Sequence, residues 1–415
     1  MSPPYNSAEK HAWHFALLIA IPVLLLWGIL SFSPNFKFAD METLKSNPLG
    51  GDYLQEYTGG WMILAKQRHV RNSPYNSDAF KQQQHDSDMT GFTWDENQYF
   101  PPVYPPFWYA AVSPLSQLEY EMAVHVWAGL MTVCLVAALL LILQFTNAPV
   151  LLLLFLCLST PVIHSISSGQ KGTLLLLIFT ATFVLLKKTQ PAGSGVVFAL
   201  SLFKPYLGVC VGLLMLVRGN WRWVVATLLT VAAIVGLTWL TMPKLSQDFI
   251  NVCLGFSDYV KSGGYDLAKS YSLWSGWQML ISHSNTAKLL TIITSLAVLF
   301  ATLFYLRRLP RDTPESLETA FAVMMLVTAI TAPHFYYYDL TMLILPAAIF
   351  ASRAISAKFN RQLWLPVILI AAAMFGSGLI EKVGLTTNLS IGPVLLILAL
   401  VAALSIPAQS YAREN

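Results

Sequence analysis

Long apolar runs recur along this 415-residue chain and constrain its fold more than any other feature. A membrane-spanning helix needs about 20 mostly apolar residues, and charged residues make up 11% of the sequence, against about 25% in soluble domains. We therefore expect an all-α polytopic membrane protein with about twelve transmembrane helices, forming a single domain over residues 1–415. The predicted spans are 13–32, 122–145, 148–167, 171–188, 193–204, 206–218, 222–242, 286–306, 316–333, 336–352, 363–382 and 388–407.

Basic residues in the short loops predict the orientation of these spans. Lys187-Lys188 and Arg307-Arg308 fall on one side if the spans alternate, and the positive-inside rule assigns that side to the cytoplasm. Two long segments, 34–121 and 243–285, then lie on the extracytoplasmic side. An apolar stretch in the first of them, 107–118, is too short to span a membrane, so we expect interfacial or re-entrant helices there.

The run 193–218 contains a basic residue and a proline, Lys204-Pro205, near its middle. A single helix over the run would bury Lys204 at mid-membrane, where a lone cation is costly. It would also put Lys187-Lys188 and Arg218 on opposite sides of the membrane. The sequence therefore favours two short helices that meet near Lys204.

Asp52 follows Gly50-Gly51 at the start of a predicted helix in the first outer segment. A carboxylate in this position is either a helix cap or a functional acid, because glycines allow close approach of a substrate and aromatic neighbours such as Tyr53 raise its basicity by excluding water. Glu56, one turn further on, is either a solvated helical residue, which is the more common case, or a second carboxylate on the same face.

Three other transitions from apolar to polar sequence fall on the predicted outer side. Each has a structural interpretation as an interfacial anchor or a loop residue. Together they bring several cations and aromatic side chains to the same depth as Asp52, which favours binding of an anion and a sugar. The three segments are Ser168-Gly169-Gln170-Lys171, Leu202 to Tyr206 around Lys204, and Ala332 to Asp339, which includes His334 and Tyr337.

This set of residues suggests transfer from a phosphate-linked donor whose tail lies in lipid. A carboxylate would accept the proton of an acceptor hydroxyl, while cations and helix N-termini would stabilise the departing phosphate. The sequence shows no nucleotide-binding or zinc-protease motif, so nucleotide hydrolysis and metalloprotease chemistry lose support, and we expect no cofactor. Its formal charge of +4 is scattered, and nucleic acid is therefore an unexpected partner.

The order of these motifs resembles glycosyltransferase family 87, a family of multi-spanning GT-C-type enzymes that use polyprenyl-phosphate mannose. The resemblance covers roughly residues 45–345, and its motifs are individually short. Their order and spacing make it specific. The matching residues are Gly51-Asp52, Tyr104-Pro105-Pro106-Phe107, Ser113-Pro114-Leu115, Gly169-Gln170, Lys204-Pro205, and Pro333-His334 with Asp339.

The resemblance implies a GT-C-type fold and an inverting, metal-independent hexosyltransferase that acts on the extracytoplasmic face. Its partners would be a polyprenyl-phosphate sugar, a lipid or glycan acceptor and the membrane lipids of a bacterial inner membrane. It implies Asp52 as general base, with His334 and Lys204 beside the donor phosphate or the reacting sugar. Lys171 departs from the family pattern, but as a cation at a helix N-terminus it is expected to complete the phosphate-binding set with Gln170. The expected substrate-lining set is Gly51, Tyr53, Glu56, Tyr104, Tyr337 and Asp339.

Two other functions remain open at this point. A secondary transporter would use Lys204, His334 and Asp339 as a relay, since ionisable groups and broken helices are common in such proteins. Another polyprenyl-phosphate-dependent transferase, such as an oligosaccharide ligase or a protein O-mannosyltransferase, would share the outer aspartate. Clustering of the candidate residues at one face favours an enzyme fed from the lipid.

Overall fold

The protein is described by a computed structural model that covers residues 50–66, 73–86, 99–261, 266–281, 285–310, 313–357 and 361–406. The predicted first span, 13–32, lies outside these residues. Within the described ranges the regular secondary structure is helical, apart from an isolated antiparallel bridge between Ser270 and Tyr336. The all-α prediction is confirmed for this part of the chain.

The helices are numbered here in chain order, and short 3₁₀ segments connect several of them. The α-helices are α1 (Leu54–Lys66), α2 (Ser77–Gln84), α3 (Pro106–Val112), α4 (Tyr120–Phe145), α5 (Val150–Cys157), α6 (Thr160–Ser167), α7 (Gly172–Lys187), α8 (Pro191–Ala199), α9 (Val209–Val217), α10 (Trp221–Thr241), α11 (Pro243–Lys261), α12 (Leu273–Ile281), α13 (Asn285–Leu306), α14 (Pro314–Thr331), α15 (Ile344–Ser356), α16 (Arg361–Phe375), α17 (Ser377–Thr387) and α18 (Gly392–Leu404). The 3₁₀ segments are Ser113–Gln117, Leu200–Phe203, Pro205–Leu207, Leu267–Lys269 and Tyr337–Leu343.

Four of the described helical stretches are long and apolar enough to cross a membrane: Tyr120–Phe145, Trp221–Thr241, Asn285–Leu306 and Tyr337–Ser356. Two bent pairs, α5 with α6 at 56° and α16 with α17 at 67°, raise the number to six if each pair is one span. They coincide with the predicted spans 148–167 and 363–382. The structure thus supports several membrane spans, while the total of twelve, the single domain and the GT-C-type fold remain predictions.

The outer surface of the bundle is apolar where the longest helices lie. Leu240 on α10 is 82% exposed and Phe300 on α13 is 65% exposed, and many of their neighbours on these helices are similarly uncovered. Exposed side chains of this size are unfavourable in water and favourable in hydrocarbon. The centre of the bundle is instead formed by α14 and α15, most of whose residues are buried.

Two breaks in helical structure matter for the site. The chain leaves the α-helical conformation between α8 and α9, with Lys204 between two 3₁₀ turns, so this region contains the two short helices that the sequence favours. In the first outer segment, α3 and the 3₁₀ turn after it occupy most of 107–118 as a short helix. Prolines at the starts of these pieces lack the N–H that would continue a preceding helix.

Candidate active site

Asp52 lies in a turn that is hydrogen-bonded to the junction between α6 and α7. The backbone N–H of Gly50 donates to the carbonyl of Ser167 at 2.5 Å, and that of Asp52 donates to the carbonyl of Ser168 at 2.9 Å. The Tyr120 hydroxyl donates to the Gly50 carbonyl at 2.7 Å. Gly50 has a φ of +71°, a conformation that favours glycine. These bonds place the aspartate immediately beside the motif that contains Gln170.

The Asp52 carboxylate is held by a side chain from that motif. Nε2 of Gln170 donates a hydrogen bond to Oδ2 of Asp52 at 2.9 Å. Asp52 is partly buried, and this burial raises its pKa above the ordinary value. The Gln170 hydrogen bond and the nearby charges of Lys171, Lys269 and His164 act in the opposite direction. A partly desolvated carboxylate of this kind is a stronger base than a surface aspartate.

Glu56 and Lys171 form an ion pair below this turn, and both side chains are completely buried. Nζ of Lys171 also lies 4.2 Å from the centroid of the Tyr104 ring. The expectation that Glu56 is a solvated helical residue is therefore wrong. Lys171 has its charge balanced inside the protein, which does not fit the predicted role of a direct phosphate ligand. The 115 residues that separate the pair in sequence explain why its partner was not foreseen.

Lys204 and Asp339 form a second buried ion pair. Nζ of Lys204 lies 2.7 Å from Oδ1 of Asp339, and the two side chains are 3% and 0% exposed. The lysine also lies over the ring of Tyr338, 5.0 Å from its centroid. Oδ2 of Asp339 accepts a hydrogen bond from the backbone N–H of Tyr336 at 3.3 Å. The break after α8 is thereby joined to the 3₁₀ turn that precedes α15.

His334 lies in the loop between α14 and that 3₁₀ turn, next to two tyrosines. Its ring centroid is 4.6 Å from that of Tyr336 and 6.0 Å from that of Tyr206. Burial, together with the positive charges of Lys204 and Lys171, lowers the pKa of His334 to about 3. The imidazole is therefore neutral at physiological pH and can donate one hydrogen bond and accept another.

Two ionisable side chains that act on Asp52, His164 and Lys269, are not among the residues predicted from the sequence. Nδ1 of His164 is 2.7 Å from the hydroxyl of Tyr337. Lys269 lies 3.3 Å from Asp266 and 3.5 Å from Glu381. His164 was hidden within a predicted span, although an ionisable residue in such a run is itself a signal of function. Lys269 belongs to the second outer segment, and its sequence carries no comparable signal.

The remaining predicted substrate-lining residues differ in their exposure. Tyr53 is completely buried and stacks on Trp127 with a centroid separation of 4.9 Å, so its predicted substrate contact does not fit its position. Tyr104 is 6% exposed and Gly51 is buried, while Tyr337 is partly exposed. Tyr104 therefore packs against Lys171, and Tyr53 is part of the packed interior beside Asp52.

The candidate residues form one connected cluster. Gln170 donates to Asp52, and Lys204 pairs with Asp339. Gly172, at the start of α7, lies so close to the turn before α15 that an added Cβ would be 2.6 Å from the carbonyl oxygen of Tyr338. The four loop regions that the sequence assigns to one depth thus meet in space. Among the described residues, no group of three or more His, Cys, Asp or Glu side chains could hold a metal ion.

A partly buried acid and a set of cations thus lie together at the loop ends of an apolar helical bundle. The model of glycosyltransferase family 87 matches residues 103–333. This match covers more than half of the chain, and the chain belongs to that family. It is a membrane glycosyltransferase, with a sugar donor and an acceptor as its substrates. No curated protein and no solved structure matches the chain.

Proposed function

We propose that the enzyme transfers a hexose, mannose by the family resemblance, from a polyprenyl-phosphate donor to a hydroxyl of a lipid or glycan acceptor. The reaction takes place on the extracytoplasmic face, in a multi-pass protein of a bacterial inner membrane, and it inverts the anomeric carbon. The observation that carries this proposal is the packing of the Gln170 motif, which is hydrogen-bonded to Asp52, against the turn of Tyr338 and Asp339, which holds Lys204.

Asp52 is the general base in this reaction. Its carboxylate accepts the proton of the acceptor hydroxyl while that oxygen forms a bond to the anomeric carbon of the donor sugar. The bond between the anomeric carbon and the phosphate oxygen breaks at the same time, and its electron pair leaves with polyprenyl phosphate. The supporting observations are the raised pKa of Asp52 and its hydrogen bond from Gln170, which fixes the carboxylate without adding a charge.

The departing phosphate is stabilised from the side of Lys204 and His334. The positive charges of Lys204 and Lys171 act on His334, so a phosphate beside this imidazole would gain from the same field. The neutral imidazole donates a hydrogen bond to a phosphate or sugar oxygen. Lys171 is paired with Glu56 and does not contact the phosphate. Asp339 holds the Lys204 ammonium in position.

The lipid carrier of the donor is supported by the surroundings of this cluster. Lys204 lies at a break between the apolar helices α8 and α9, and His334 follows the buried helix α14. A phosphate placed there has hydrocarbon-facing helices on its flanks. A polyprenyl chain can then remain in the bilayer while its sugar reaches Asp52.

The proposal is tested with the purified enzyme in lipid nanodiscs. Polyprenyl-phosphate sugars and nucleotide sugars are offered in parallel with a glycolipid acceptor, and products are identified by mass spectrometry and NMR. We expect transfer of one hexose from the polyprenyl phosphate, with opposite anomeric configurations in donor and product. Transfer from a nucleotide sugar alone, retention of configuration, or transfer of a whole glycan would contradict the proposal.

A further inference from the structure

Asp52 lies between two unlike groups of side chains. One group contains Lys204, which is 3% exposed and lies over the ring of Tyr338. The other contains Lys269, which is 32% exposed, and His164. The charges that act on His164 are those of Asp52 and Lys269. The backbone N–H of Asp52 donates to the carbonyl of Ser168, one turn after His164, and the antiparallel bridge between Ser270 and Tyr336 places Lys269 beside Tyr337. The acceptor hydroxyl must reach the general base, and the second group is the more exposed of the two. The acceptor is therefore expected on that side of Asp52.

The second group is built from four separate elements. His164 comes from α6, and Tyr337 begins the 3₁₀ segment Tyr337–Leu343; their hydrogen bond is 2.7 Å long. Lys269 is the last residue of the 3₁₀ segment Leu267–Lys269, Asp266 precedes that segment, and Glu381 lies on α17. The side chains of the lysine, Asp266 and Glu381 are 32%, 38% and 32% exposed. The group therefore presents charged and hydroxyl groups to an approaching molecule.

The chemistry of this group fits a molecule with many hydroxyls. Sugar hydroxyls donate and accept hydrogen bonds, and here carboxylates, an ammonium and a phenol offer both kinds of partner. Bonds to charged partners are the stronger ones. A serine or threonine side chain of a peptide would present a single hydroxyl to Asp52 and would leave most of these partners unused.

We infer that Tyr337, Lys269 and Glu381 bind the sugar headgroup of the acceptor, so that the acceptor is a glycan or glycolipid. Tyr337 donates or accepts at a ring hydroxyl, while Lys269 and Glu381 contact further hydroxyls from the opposite wall. His164 is a positioning residue that orients the phenol. This inference rests on the proposed function, since it assigns the acceptor side of the same site.

The test separates acceptor binding from donor binding. The variants Tyr337→Phe and Glu381→Gln, which lie on different elements, are assayed with varied glycolipid acceptor and varied donor. We expect each to raise the acceptor KM roughly 5- to 10-fold, as for loss of one hydrogen bond, and the donor KM less than about twofold. Lys204→Met should show the reverse pattern. Lys382→Met, on the exposed side of α17, should change neither constant.

Binding of free mono- and disaccharides of mannose without donor gives a second measurement, by saturation-transfer NMR. It stays informative if polyprenyl-phosphate sugars are not substrates, in which case the proposed donor fails while sugar binding at this group can still be observed. Unchanged acceptor KM and unchanged saccharide binding in both folded variants would overturn the inference. A donor KM that rises as much as the acceptor KM, or a peptide that serves as the better acceptor, would also overturn it.

Discussion

Nε2 of Gln170 donates a hydrogen bond to Oδ2 of Asp52 at 2.9 Å, across 118 residues of sequence. This bond joins the first outer segment to the start of α7. It also stabilises the charged form of the carboxylate against the effect of burial. The basicity of Asp52 is thus a balance between desolvation and a neutral amide, and this balance can be shifted by mutation.

Removal of the Gln170 amide should move the acidic limb of the pH–rate profile. In Gln170→Leu the hydrogen bond that lowers the pKa of Asp52 is lost, so the pKa rises further. Because the base must be ionised, the acidic limb of the profile moves to higher pH. The maximal rate also falls about tenfold, because a hydrogen bond that positions the carboxylate is lost. Gln190→Leu, exposed beyond the other end of α7, is the matched control. An unshifted limb in Gln170→Leu would contradict this role.

Removal of one partner of the buried pair of Glu56 and Lys171 should lower the free energy of unfolding strongly. Replacement of both partners by apolar residues should lower it much less. Glu56→Gln leaves Lys171 unpaired in the interior, with an expected loss of roughly 3–5 kcal/mol in the free energy of unfolding. The double variant Glu56→Leu/Lys171→Met removes both charges and should recover most of this loss. Thermal unfolding in detergent measures the difference. Equal destabilisation by the single and double variants would show that the two charges do not compensate each other.

His334 should make the protein sensitive to acid in a defined direction. Its folded-state pKa of about 3 lies below the value of about 6.5 expected for an unfolded chain. The unfolded chain therefore binds a proton first as pH falls through about 6.5, and stability decreases from there toward pH 3. His334→Gln should lose stability less steeply between pH 7 and 5 than the wild type. His125→Gln, on the exposed side of α4, serves as the control.

The orientation of the first outer segment can be tested by thiol labelling of intact cells. Asp78 on α2 and Lys188 after α7 are both exposed, and the predicted topology puts them on opposite sides of the membrane. In a Cys253→Ser background, which removes the exposed native thiol, a membrane-impermeant maleimide should label Asp78→Cys and not Lys188→Cys. The opposite pattern would place the active site in the cytoplasm.

Much of the candidate site could be predicted because its residues interrupt apolar runs. Lys204-Pro205 and the loop containing His334 stand out against hydrophobic neighbours, and Asp52 follows two glycines. Each of these breaks lies at a helix end, and helix ends on one side of a bundle share a depth. Sequence therefore identified the loops that meet, with no information on which side chains in them form pairs.

The pairs depend on packing between distant elements and were not predictable. Glu56 looked like a solvated helical residue because its sequence neighbours do not reveal that α1 is buried against other helices. Its partner Lys171 is equally hidden from local analysis. The contact of His164 with Tyr337 spans 173 residues and depends on how α6 packs on the 3₁₀ turn before α15. Hydrophobic periodicity predicts which face of a helix is buried. It does not predict which charged side chain packs against that face.

The central claim is that the Asp52 carboxylate accepts the acceptor proton. Asp52→Asn preserves the size of the side chain and removes the base, while Asp78→Asn changes an exposed carboxylate on α2 and is the matched control. The decisive measurement is single-turnover sugar transfer from a polyprenyl-phosphate donor by both variants, with unfolding temperatures recorded alongside. We predict a loss of roughly 10²- to 10⁴-fold for Asp52→Asn and none for Asp78→Asn. Full activity in a folded Asp52→Asn protein would contradict the account.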